Sequence, residues 1–412
     1  VSVELVSVDG ATLTYDGRTY AGPLLVTKHP DGLAITEEAP IEQYLHGIAE
    51  MPFAWPSEAL AAQAVAARTY LTRRVLGGRS GDEETYRFDI CATNRCQVYR
   101  GVQYVNGEYG ERWRQAVDET EDQILTFGGR PIEAVYTSMV GSRSRSNQDV
   151  WASAAVPYLQ AVDSPEVGIA PYAQWTVAVS AEEFVEILAA DGMTVGGGLL
   201  EVEVDDPPEG AGRTTIAVVS TQGTDSILAP AMKGAFNRHG EDLFPDALPG
   251  TLADGRELPE ALLSYTYDIT HVTLPPLPID HLLPEEERGR RDFVRIDGEG
   301  WGHGVGMSQW GARIMADEGI NHEEILTHYY TGASIEVAGD VIPETVVVGL
   351  DWGRSVIDVT VEGSVELFVN GVPFVSLPEG LWRLRPAPSG IAVMGVGDTP
   401  QHIGLIERRW PF

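Results

Sequence analysis

Cysteine, positive charge and long apolar runs are all scarce in this sequence. Against 61 acidic residues stand 28 Lys and Arg residues, which gives a formal net charge of −33. Nucleic acids and anionic lipids bind positive surfaces, so this charge argues against both as partners. No apolar run reaches the roughly 18 residues that span a membrane. The charge favours a neutral or weakly charged partner, but solubility alone is the simpler explanation for it.

The two cysteines, Cys91 and Cys96, lie close together in "CATNRC". This spacing permits a disulfide, which in an exported protein stabilises a short loop by roughly 2 kcal/mol; free thiols are the alternative. A metal site needs further ligands, and no histidine lies between Gly47 and His239. The sequence begins at Val1 rather than methionine, which is compatible with a removed targeting segment and with export.

Common catalytic motifs are also missing. There is no G-x-S-x-G, no P-loop and no H-E-x-x-H. A dinucleotide fingerprint that starts at Gly298 places His303 in the last glycine position, and one that starts at Gly300 places Val305 there. Phosphate binding is therefore a poor explanation for the glycines of this region.

Both ends of the chain are predicted to be β-rich. Apolar and polar residues alternate over residues 1–40, with turns expected at Asp9-Gly10, Asp16-Gly17 and Asp31-Gly32. The alternation returns from about residue 338, where Asn370-Gly371 is the clearest hairpin signal. We expect short strands joined by tight turns at both ends.

Helices are predicted to follow the first strands. The segment "IEQYLHGIAEMP" is expected to form a short helix that Pro52 stops. Ser57 stands at an N-cap position for a second helix, which Gly77-Gly78 ends. Its expected apolar face consists of Leu60, Ala64, Ala67, Leu71 and Val75.

The middle of the chain mixes helix and strand signals. A helix is predicted at "GERWRQAVDET", strands on both sides of Gly128-Gly129, and a capping box at Ser180 and Glu183. Strands "LLEVEVDD" and "TTIAVVS" follow, and proline and acidic residues from about 244 to 290 suggest long surface connections. Ser308 opens a helix that closes at Gly319. Without βαβ regularity, this mixture predicts an α+β fold.

Glycine occupies every second position from Gly298 to Gly306 in "GEGWGHGVGMSQWGA". Each glycine costs roughly 0.5–1 kcal/mol in regular structure, so the pattern predicts a close approach of the backbone to another group. In an extended backbone, the residues between the glycines would share the opposite face. These residues are Glu299, Trp301, His303 and Val305.

A tryptophan beside a histidine suits a sugar ring, through apolar stacking and hydrogen bonding. The alternative is that Trp301 and His303 only pack against the helix that begins at Ser308. Glu58 is a second candidate, but on pattern alone a glutamate in a first helical turn usually serves the helix dipole.

Four segments together resemble, in order, the characteristic segments of the SpoIID/LytB family. They are "MPFAWPSEALAAQAVAARTYL", "CQVYRG", "DVWASAAVPYLQAVDSP" and "GWGHGVGMSQWGARIMADEGINHEEILTHYYTG". Members of this family are lytic transglycosylases of bacterial peptidoglycan, or cell-wall amidase enhancers by older naming. The resemblance runs from about Ala39 to Gly332 and leaves residues 338–412 outside.

The resemblance implies roles for particular residues. The family's catalytic glutamate precedes "AL" in the "PSEAL" segment, which is Glu58 here. The His and Gln of "GHGVGMSQWGA" correspond to His303 and Gln309. Since about 240 residues separate the two segments, we expect them to meet across a cleft, where the glycines let a glycan strand lie opposite Glu58.

Other polar residues are candidates for binding the substrate and its oxocarbenium-like transition state. Besides His303, Gln309 and Trp301, they are Tyr136, Ser138 and Asp149. For each of them the alternative is ordinary hydrogen bonding in a core or turn. Arg68 and Tyr70, on the Glu58 helix, are expected to pack or pair within the fold.

The sequence departs from the family pattern at several places, and the segment "APAMKGAFNRHG" matches the family's later domain only loosely. Gly141-Ser142-Arg143-Ser144 stands where many members have "GGKT"-like residues. Arg95 replaces a histidine that, with cysteines, binds zinc in some members. We therefore expect no zinc and no other cofactor, which favours the disulfide between Cys91 and Cys96.

The implied reaction needs only one carboxyl group. Glu58 protonates the bridging oxygen and then, as a base, takes the proton of the sugar's own 6-hydroxyl, which leaves a 1,6-anhydro product. A helix N-terminus lowers a carboxyl pKa, whereas a general acid needs a pKa raised from about 4.3. Phe53, Trp55 and the glycan are expected to raise it by desolvation.

Two other functions remain open on the sequence. The protein is alternatively a non-catalytic wall binder that enhances an amidase, which does not need Glu58, or a structural surface protein, which leaves Glu58 and the glycines unexplained. The expected partners are peptidoglycan glycan strands, preferably free of peptide, and a cell-wall amidase. The expected location is extracytoplasmic, at the cell wall or cell surface.

Five segments are predicted along the chain. They are a β-rich segment at 1–40, a catalytic lobe at 41–165, a second lobe at 166–290, a glycine-rich cleft segment with its helix at 291–337, and a β-rich module at 338–412.

Overall fold

The computed structural model describes residues 1–193, 196–252, 254–274, 291–397 and 402–407. The chain divides into two compact units: Val1–Ala134 with Ser334–Phe412 form unit 1, and Val135–Ala333 form unit 2. Both interleave helices and strands, which confirms the α+β class. The five functional segments stay a prediction. Within the described ranges, no helix is both long and apolar enough to cross a membrane.

The elements of the described residues are named in chain order. The helices are α1 (Ile41–His46), α2 (Ser57–Gly77), α3 (Asp82–Tyr86), α4 (Gly110–Glu119), α5 (Asn147–Trp151), α6 (Ala181–Ala190), α7 (Ala229–Leu243), α8 (Gln309–Asp317) and α9 (His322–Tyr329). The strands are β1 (Ser2–Tyr15), β2 (Arg18–Tyr20), β3 (Leu24–His29), β4 (Gly32–Pro40), β5 (Ile90–Cys91), β6 (Gln123–Phe127), β7 (Arg130–Pro131), β8 (Tyr136–Thr137), β9 (Gln174–Ser180), β10 (Leu199–Asp205), β11 (Thr215–Ser220), β12 (Gly223–Leu228), β13 (Tyr267–Leu274), β14 (Arg291–Glu299), β15 (Met307–Ser308), β16 (Ser334–Val337), β17 (Thr345–Arg354), β18 (Ile357–Val369), β19 (Val372–Leu377), β20 (Gly380–Ala387), β21 (Gly390–Val396) and β22 (His402–Glu407).

The main sheet of unit 1 combines strands from both ends of the chain. Its order is β22-β21-β20-β18-β1-β3-β4-β17-β5, with β19 on β18 and β2 on β1. Strands β1 and β18 pair antiparallel from Val3↔Val369 to Tyr15↔Val359. The β-rich prediction for both ends is confirmed, and Asn370 and Gly371 form the hairpin with φ of 49° and 79°.

The local predictions for the first strand and the first helix of unit 1 are wrong in part. No turn forms at Asp9-Gly10, because β1 continues through it with a register shift before Thr12. Helix α1 ends at His46 instead of continuing to Pro52. A Cβ on Gly47 would meet the Tyr99 ring at 2.3 Å, and this crowding needs a glycine where the chain leaves the helix.

Helix α2 crosses the interior of unit 1. Every residue from Ala59 to Thr69 is buried, so the helix is enclosed over several turns rather than along one apolar face. The predicted end at Gly77-Gly78 is confirmed, but the N-cap is Pro56, and Ser57 is the first helical residue. The extended backbone of Pro56 (φ −54°, ψ 145°) already sets the geometry that a capping residue needs.

Unit 2 builds its core from sheets β13-β14-β9 and β10-β11-β12 together with α6 and α7. The capping box at Ser180 and Glu183 is confirmed, as are the strands β10 and β11. The interpretation of 244–290 as surface connections is wrong where it is described, because this segment supplies buried side chains to the core. They are Leu248, Leu258, Leu262 and Leu263. Residues 275–290 lie outside the described part of the chain.

Candidate functional site

Glu58 is the second residue of α2, in unit 1. The amides of Ala59 and Leu60 both donate to the Pro56 carbonyl at 3.1 Å, so the chain enters the helix in a fixed direction. Glu58 is half-buried, and the next residue is fully buried. The carboxyl group therefore belongs to the first turn of an enclosed helix, and the rigid backbone of this helix fixes its position.

Aromatic rings surround the segment that leads into α2. The ring of Phe53, which is buried, stacks on Trp113 with centroids 5.6 Å apart and planes at 2°. Tyr104 meets Phe53 edge-on at 6.0 Å, and Arg112 donates to the Trp55 carbonyl at 2.8 Å. These contacts attach the "MPFAWP" segment to α4 and fix its path.

Arg68 anchors α2 inside unit 1. Its guanidinium, which has no exposed surface, donates to both carboxylate oxygens of Glu42 at 2.8 and 2.7 Å. It also donates to the carbonyls of Val117 at 3.0 Å and Gln123 at 3.3 Å, and to the Thr120 hydroxyl at 3.4 Å. The prediction that Arg68 pairs within the fold is confirmed.

The "CATNRCQVY" loop rests on the same helix. Cys91 and Cys96 form a disulfide with their Cα atoms 5.5 Å apart. The Gln97 side chain donates to the Ala67 carbonyl at 3.2 Å and accepts from the Tyr44 hydroxyl at 2.9 Å. Arg95 is exposed and lies 3.7 Å from Asp82. Across the described ranges, no group of three His, Cys, Asp or Glu side chains has the spacing of a metal site.

The glycine segment of unit 2 does make close approaches, but they are to the chain itself. Cβ atoms on Gly298, Gly300, Gly302 and Gly306 would come within 2.0–2.6 Å of Trp175, the Met139 carbonyl, the Thr137 hydroxyl and the Val135 carbonyl, respectively. The expectation that these glycines make room for a glycan is therefore corrected. They make room for residues 135–140 and for Trp175.

The backbone after β14 also differs from the predicted extended strand. Gly300, Gly302, Gly304 and Gly306 all have positive φ, between 74° and 117°. The chain therefore turns repeatedly, and the residues between the glycines do not share one face. Val305 is fully buried, whereas Trp301 and His303 keep part of their surface exposed. Only glycine adopts this series of conformations without strain.

His303 is held as a neutral imidazole. The amide of Val305 donates to its Nδ1 at 3.1 Å, which assigns the ring proton to Nε2. Burial lowers the pKa of His303 to about 4; a hydrogen bond to the backbone of Tyr136 opposes this shift, and the Lys233 ammonium adds to it. At neutral pH the ring is therefore a polar, uncharged group.

Trp301 is fixed through both its backbone and its side chain. Its amide and carbonyl exchange hydrogen bonds with Met139 at 3.0 and 3.1 Å. Its indole Nε1 donates to Glu260 Oε1 at 3.4 Å, and Tyr172 meets the indole at 5.7 Å with planes at 87°. These partners lie outside α8.

Three other predicted site residues lie beside the glycine segment. Tyr136 is in β8, which pairs in parallel with β15 through Tyr136↔Met307. The carbonyl of Ser138 accepts from the amide of Trp310 at 3.1 Å. Gln309 is buried as the first residue of α8, after the N-cap Ser308, whose hydroxyl accepts from the Gly311 amide at 3.2 Å.

Asp149 is buried and holds a loop. Its two carboxylate oxygens accept from the amides of Gly210 at 2.9 Å and Gly212 at 3.4 Å. The nearby departure from the family pattern also forms ion pairs, since Arg143 contacts Asp163 at 2.5 Å and Glu209 at 3.2 Å. These side chains connect α5 and the residues just before it to the loop that contains Glu209, Gly210 and Gly212.

Two residues near the glycine segment escaped the sequence analysis. The carboxylate of Glu166 has no exposed surface and accepts from the amides of Val140 at 2.9 Å and Gly141 at 3.2 Å. Burial raises the pKa of Glu166, and a hydrogen bond from Ser308 opposes this shift. A lone glutamate in a loop gives no pattern that could have identified it.

Trp151 is the second such residue. It is 43% exposed at the end of α5, and its ring lies 5.3 Å from the His303 ring. Its place in "DVWASAAVPYLQAVDSP" was the available signal. An exposed indole next to a neutral imidazole is a surface on which a sugar ring can stack.

Comparison with known proteins shows what this chain is similar to. Residues 29–127, which contain Glu58 and the disulfide loop, match the SpoIID family, described as Stage II sporulation protein. The chain is 27% identical over 327 residues to the Stage II sporulation protein D of Bacillus subtilis, which covers 77% of this chain and 80% of that protein. It is 29% identical over 335 residues to an uncharacterized protein of Brachyspira hyodysenteriae, which covers 79% of this chain and 74% of that protein.

A third relative has a different name. The amidase enhancer of Bacillus subtilis is 26% identical over 313 residues, which is 69% of this chain and 39% of that protein. The matches extend well beyond residues 29–127 and include proteins of both names. The chain is therefore similar to proteins named for stage II sporulation and for amidase enhancement, and its residues 29–127 match the SpoIID family model.

Proposed function

We propose that this protein is a peptidoglycan lytic transglycosylase that cleaves the MurNAc-GlcNAc bond of glycan strands. The observation that carries the proposal is Glu58, which stands at the start of an enclosed helix inside the region that matches the family. A catalytic acid must be held within a few tenths of an ångström of its working position. The burial of α2 from Ala59 onward supplies that rigidity.

In the proposed reaction, the protonated Glu58 donates its proton to the bridging oxygen as the bond from that oxygen to the anomeric carbon breaks. The resulting carboxylate then takes the proton from the 6-hydroxyl of the same MurNAc, whose oxygen bonds to the anomeric carbon. Glu58 regains its proton, no water is consumed, and the strand ends in 1,6-anhydro-MurNAc.

The protonation of Glu58 depends on two opposing effects. The helix N-terminus favours the carboxylate by roughly 0.3–1 kcal/mol. A bound glycan removes water from the half-buried side chain, and desolvation raises a carboxyl pKa. We therefore infer that desolvation by the bound glycan favours the protonated form of Glu58 that the reaction needs.

Glycan contacts are proposed for unit 2. Trp301 and Trp151 are partly exposed aromatic rings, and His303 is a neutral polar ring beside Trp151. Tyr136, Ser138 and Gln309 are placed by β8, β15 and α8 along the same glycine segment. Asp149 contributes by holding the loop at Gly210 and Gly212.

The test is mass spectrometry of products released from purified glycan strands, with and without stem peptides. We expect 1,6-anhydro ends from peptide-free strands with the wild type and at least a ~10³-fold lower rate with Glu58→Gln, because the amide cannot donate the proton. Glu84→Gln, an exposed change in α3 of the same unit, is the matched control and should keep full activity.

Two results would contradict the proposal. Reducing ends in place of anhydro ends would make the enzyme a hydrolase that needs a second carboxylate. Equal release by the wild type and Glu58→Gln would remove Glu58 from the chemistry. Since the proposed substrate lies outside the cytoplasm, the proposal also places the protein there.

The similarity to a protein named amidase enhancer supports a second candidate, a non-catalytic wall binder that assists a cell-wall amidase. This candidate predicts that insoluble wall retains the protein without being solubilised. It also predicts that the rate of an added N-acetylmuramoyl-L-alanine amidase rises equally with the wild type and Glu58→Gln. An enzyme would instead release soluble fragments without an amidase.

A further inference from the structure

Unit 2 contains a buried ammonium group that the proposed reaction does not use. Lys233, in α7, has a side chain that is 14% exposed. Its Nζ donates to the Leu263 carbonyl at 2.7 Å, lies 3.3 Å from Glu260 Oε2 and stands 5.5 Å from the centre of the Tyr265 ring. A charge removed from water is costly unless it is paired and hydrogen-bonded, so such a group needs a reason to be there.

The carboxylate partner of Lys233 connects it to Trp301. Glu260 Oε2 accepts from the Asn237 side chain at 2.7 Å, while Oε1 accepts from the Trp301 indole at 3.4 Å. The Glu260 side chain is 35% exposed. Lys233 and Asn237, both on α7, therefore contact Oε2 of the Glu260 carboxylate, while Oε1 accepts the hydrogen bond of the Trp301 indole.

A second route joins Lys233 to the same place. The Leu263 carbonyl, which accepts from Lys233 Nζ, also accepts from the amide of Gly302 at 3.0 Å. Gly302 follows Trp301 and has a φ of 117°. The ammonium thus contacts, through one intermediate group each, both the indole of Trp301 and the peptide that follows it.

We propose that Lys233 and Glu260 are positioning residues that fix the orientation of the Trp301 indole and the turn at Gly302, and so set the affinity for glycan strands without touching them. This role rests on the proposed function, in which Trp301 is a glycan contact. An indole whose N–H is held and whose backbone is bonded to Met139 loses little freedom when a sugar stacks on it. Removing either support restores that freedom.

The test follows the Trp301 indole by NMR in protein labelled with ¹⁵N-tryptophan. The sequence has nine tryptophans, and Trp301→Phe identifies the resonance of interest. We expect Glu260→Ala and Lys233→Met to shift the Trp301 indole N–H resonance and leave the other indole resonances in place. Glu260→Gln keeps an oxygen acceptor and should restore most of the wild-type position.

The same variants are measured on peptide-free glycan strands. We expect KM to rise about tenfold in Glu260→Ala and Lys233→Met with kcat within about twofold, since lost positioning weakens ground-state and transition-state binding alike. Arg238→Met is the matched control, because it removes an ion pair with Asp191 from the same helix, where Arg238 is 56% exposed. It should change neither KM nor the Trp301 resonance.

The outcomes separate this proposal from the assignment of the reaction. An unmoved Trp301 resonance in Glu260→Ala and Lys233→Met overturns the positioning role, and so does a moved resonance with unchanged KM. A raised KM with an unmoved resonance means that Glu260 touches the glycan itself, which also overturns it. If the wild type leaves the strands intact, the proposed reaction is wrong. The role of Lys233 and Glu260 in glycan affinity is then tested by titrating the wild type and the variants with the same strands and following the Trp301 resonance.

A variant that loses its fold is recognised by movement of all its indole resonances. Glu260→Gln, which keeps the shape of the side chain, then decides between the outcomes. A retained Trp301 resonance and a KM within about twofold of the wild type support the proposal. A tenfold higher KM with that resonance retained contradicts it.

Discussion

At the scale of single residues, the environment of His303 determines how its protonation couples to folding. Its pKa is about 4 in the folded protein against 6.5 for a free side chain. As the pH falls below 6.5, His303 becomes protonated in the unfolded chain but stays neutral in the folded protein, so the folded state loses stability. This loss continues down to about pH 4, below which His303 is protonated in both states and contributes no further change. The difference corresponds to roughly 3 kcal/mol.

We predict that the gap in unfolding free energy between the wild type and His303→Gln changes by roughly 3 kcal/mol between pH 7 and pH 4. The wild type loses its advantage in acid, because glutamine does not titrate. Urea unfolding at a series of pH values measures this gap. A gap that stays constant over the range would show that His303 titrates normally in the fold.

The sequence predicted the helix that carries Glu58 and the close approaches of the glycine segment, but it predicted their surroundings incompletely. The helix carrying Glu58 followed from apolar spacing and the final glycines, which are local signals. The glycines of 298–306 were recognised as positions of close approach, but the groups they approach belong to residues 135–140 and Trp175, more than 120 positions away in the chain. Such contacts, like those of Glu166 and Lys233, depend on tertiary pairing that no local pattern encodes.

At the scale of elements, α2 is held by one buried guanidinium. Arg68 donates hydrogen bonds to Glu42, to Thr120 and to two backbone carbonyls, so it connects α2 to α1, to α4 and to the start of β6. Local helix propensity cannot predict this set of hydrogen bonds, because the partners of Arg68 come from three separate elements. The wrong N-cap at Ser57 has a similar origin, since Pro56 and its neighbours fix the entry of the helix.

We predict that Arg68→Met destabilises unit 1 by roughly 3–5 kcal/mol, because it leaves the Glu42 carboxylate and two carbonyls without their donor. Guanidinium unfolding monitored by tryptophan fluorescence measures the loss. Arg73→Met, an exposed change on the same helix, should stay within about 0.5 kcal/mol of the wild type. A loss for Arg68→Met as small as that of the control would contradict the anchoring role.

At the scale of the whole molecule, the two ends of the chain are parts of one sheet. Strand β1 pairs with β18, and β4 pairs with β17, so strands β17 to β22 complete the sheet that strands β1 to β4 begin. The sequence indicated strands at both ends but not their pairing, because register between segments more than 300 residues apart leaves no local trace.

We predict that a chain ending at residue 337 loses the fold of unit 1, because β1 and β4 each lose a neighbour and their buried valines and leucines become exposed. Limited proteolysis with mass spectrometry should show rapid cleavage within residues 1–134, with fragments of 135–333 surviving longer. Equal resistance of residues 1–134 in the shortened and full chains would contradict the prediction.

The pairing of β1 with β18 also sets an order of events during synthesis. A ribosome makes residues 1–134 before residues 334–412, and unit 2 is one continuous stretch between them that is complete once Ala333 has emerged. By then about 200 further residues have been synthesised after residue 134, and the strands of residues 334–412 that complete unit 1 are still to be made. Strands β1 and β4 are thus made well before β18 and β17, the strands that complete their hydrogen bonds. Until then the unpaired edges of β1 and β4 are the ones that need protection from aggregation.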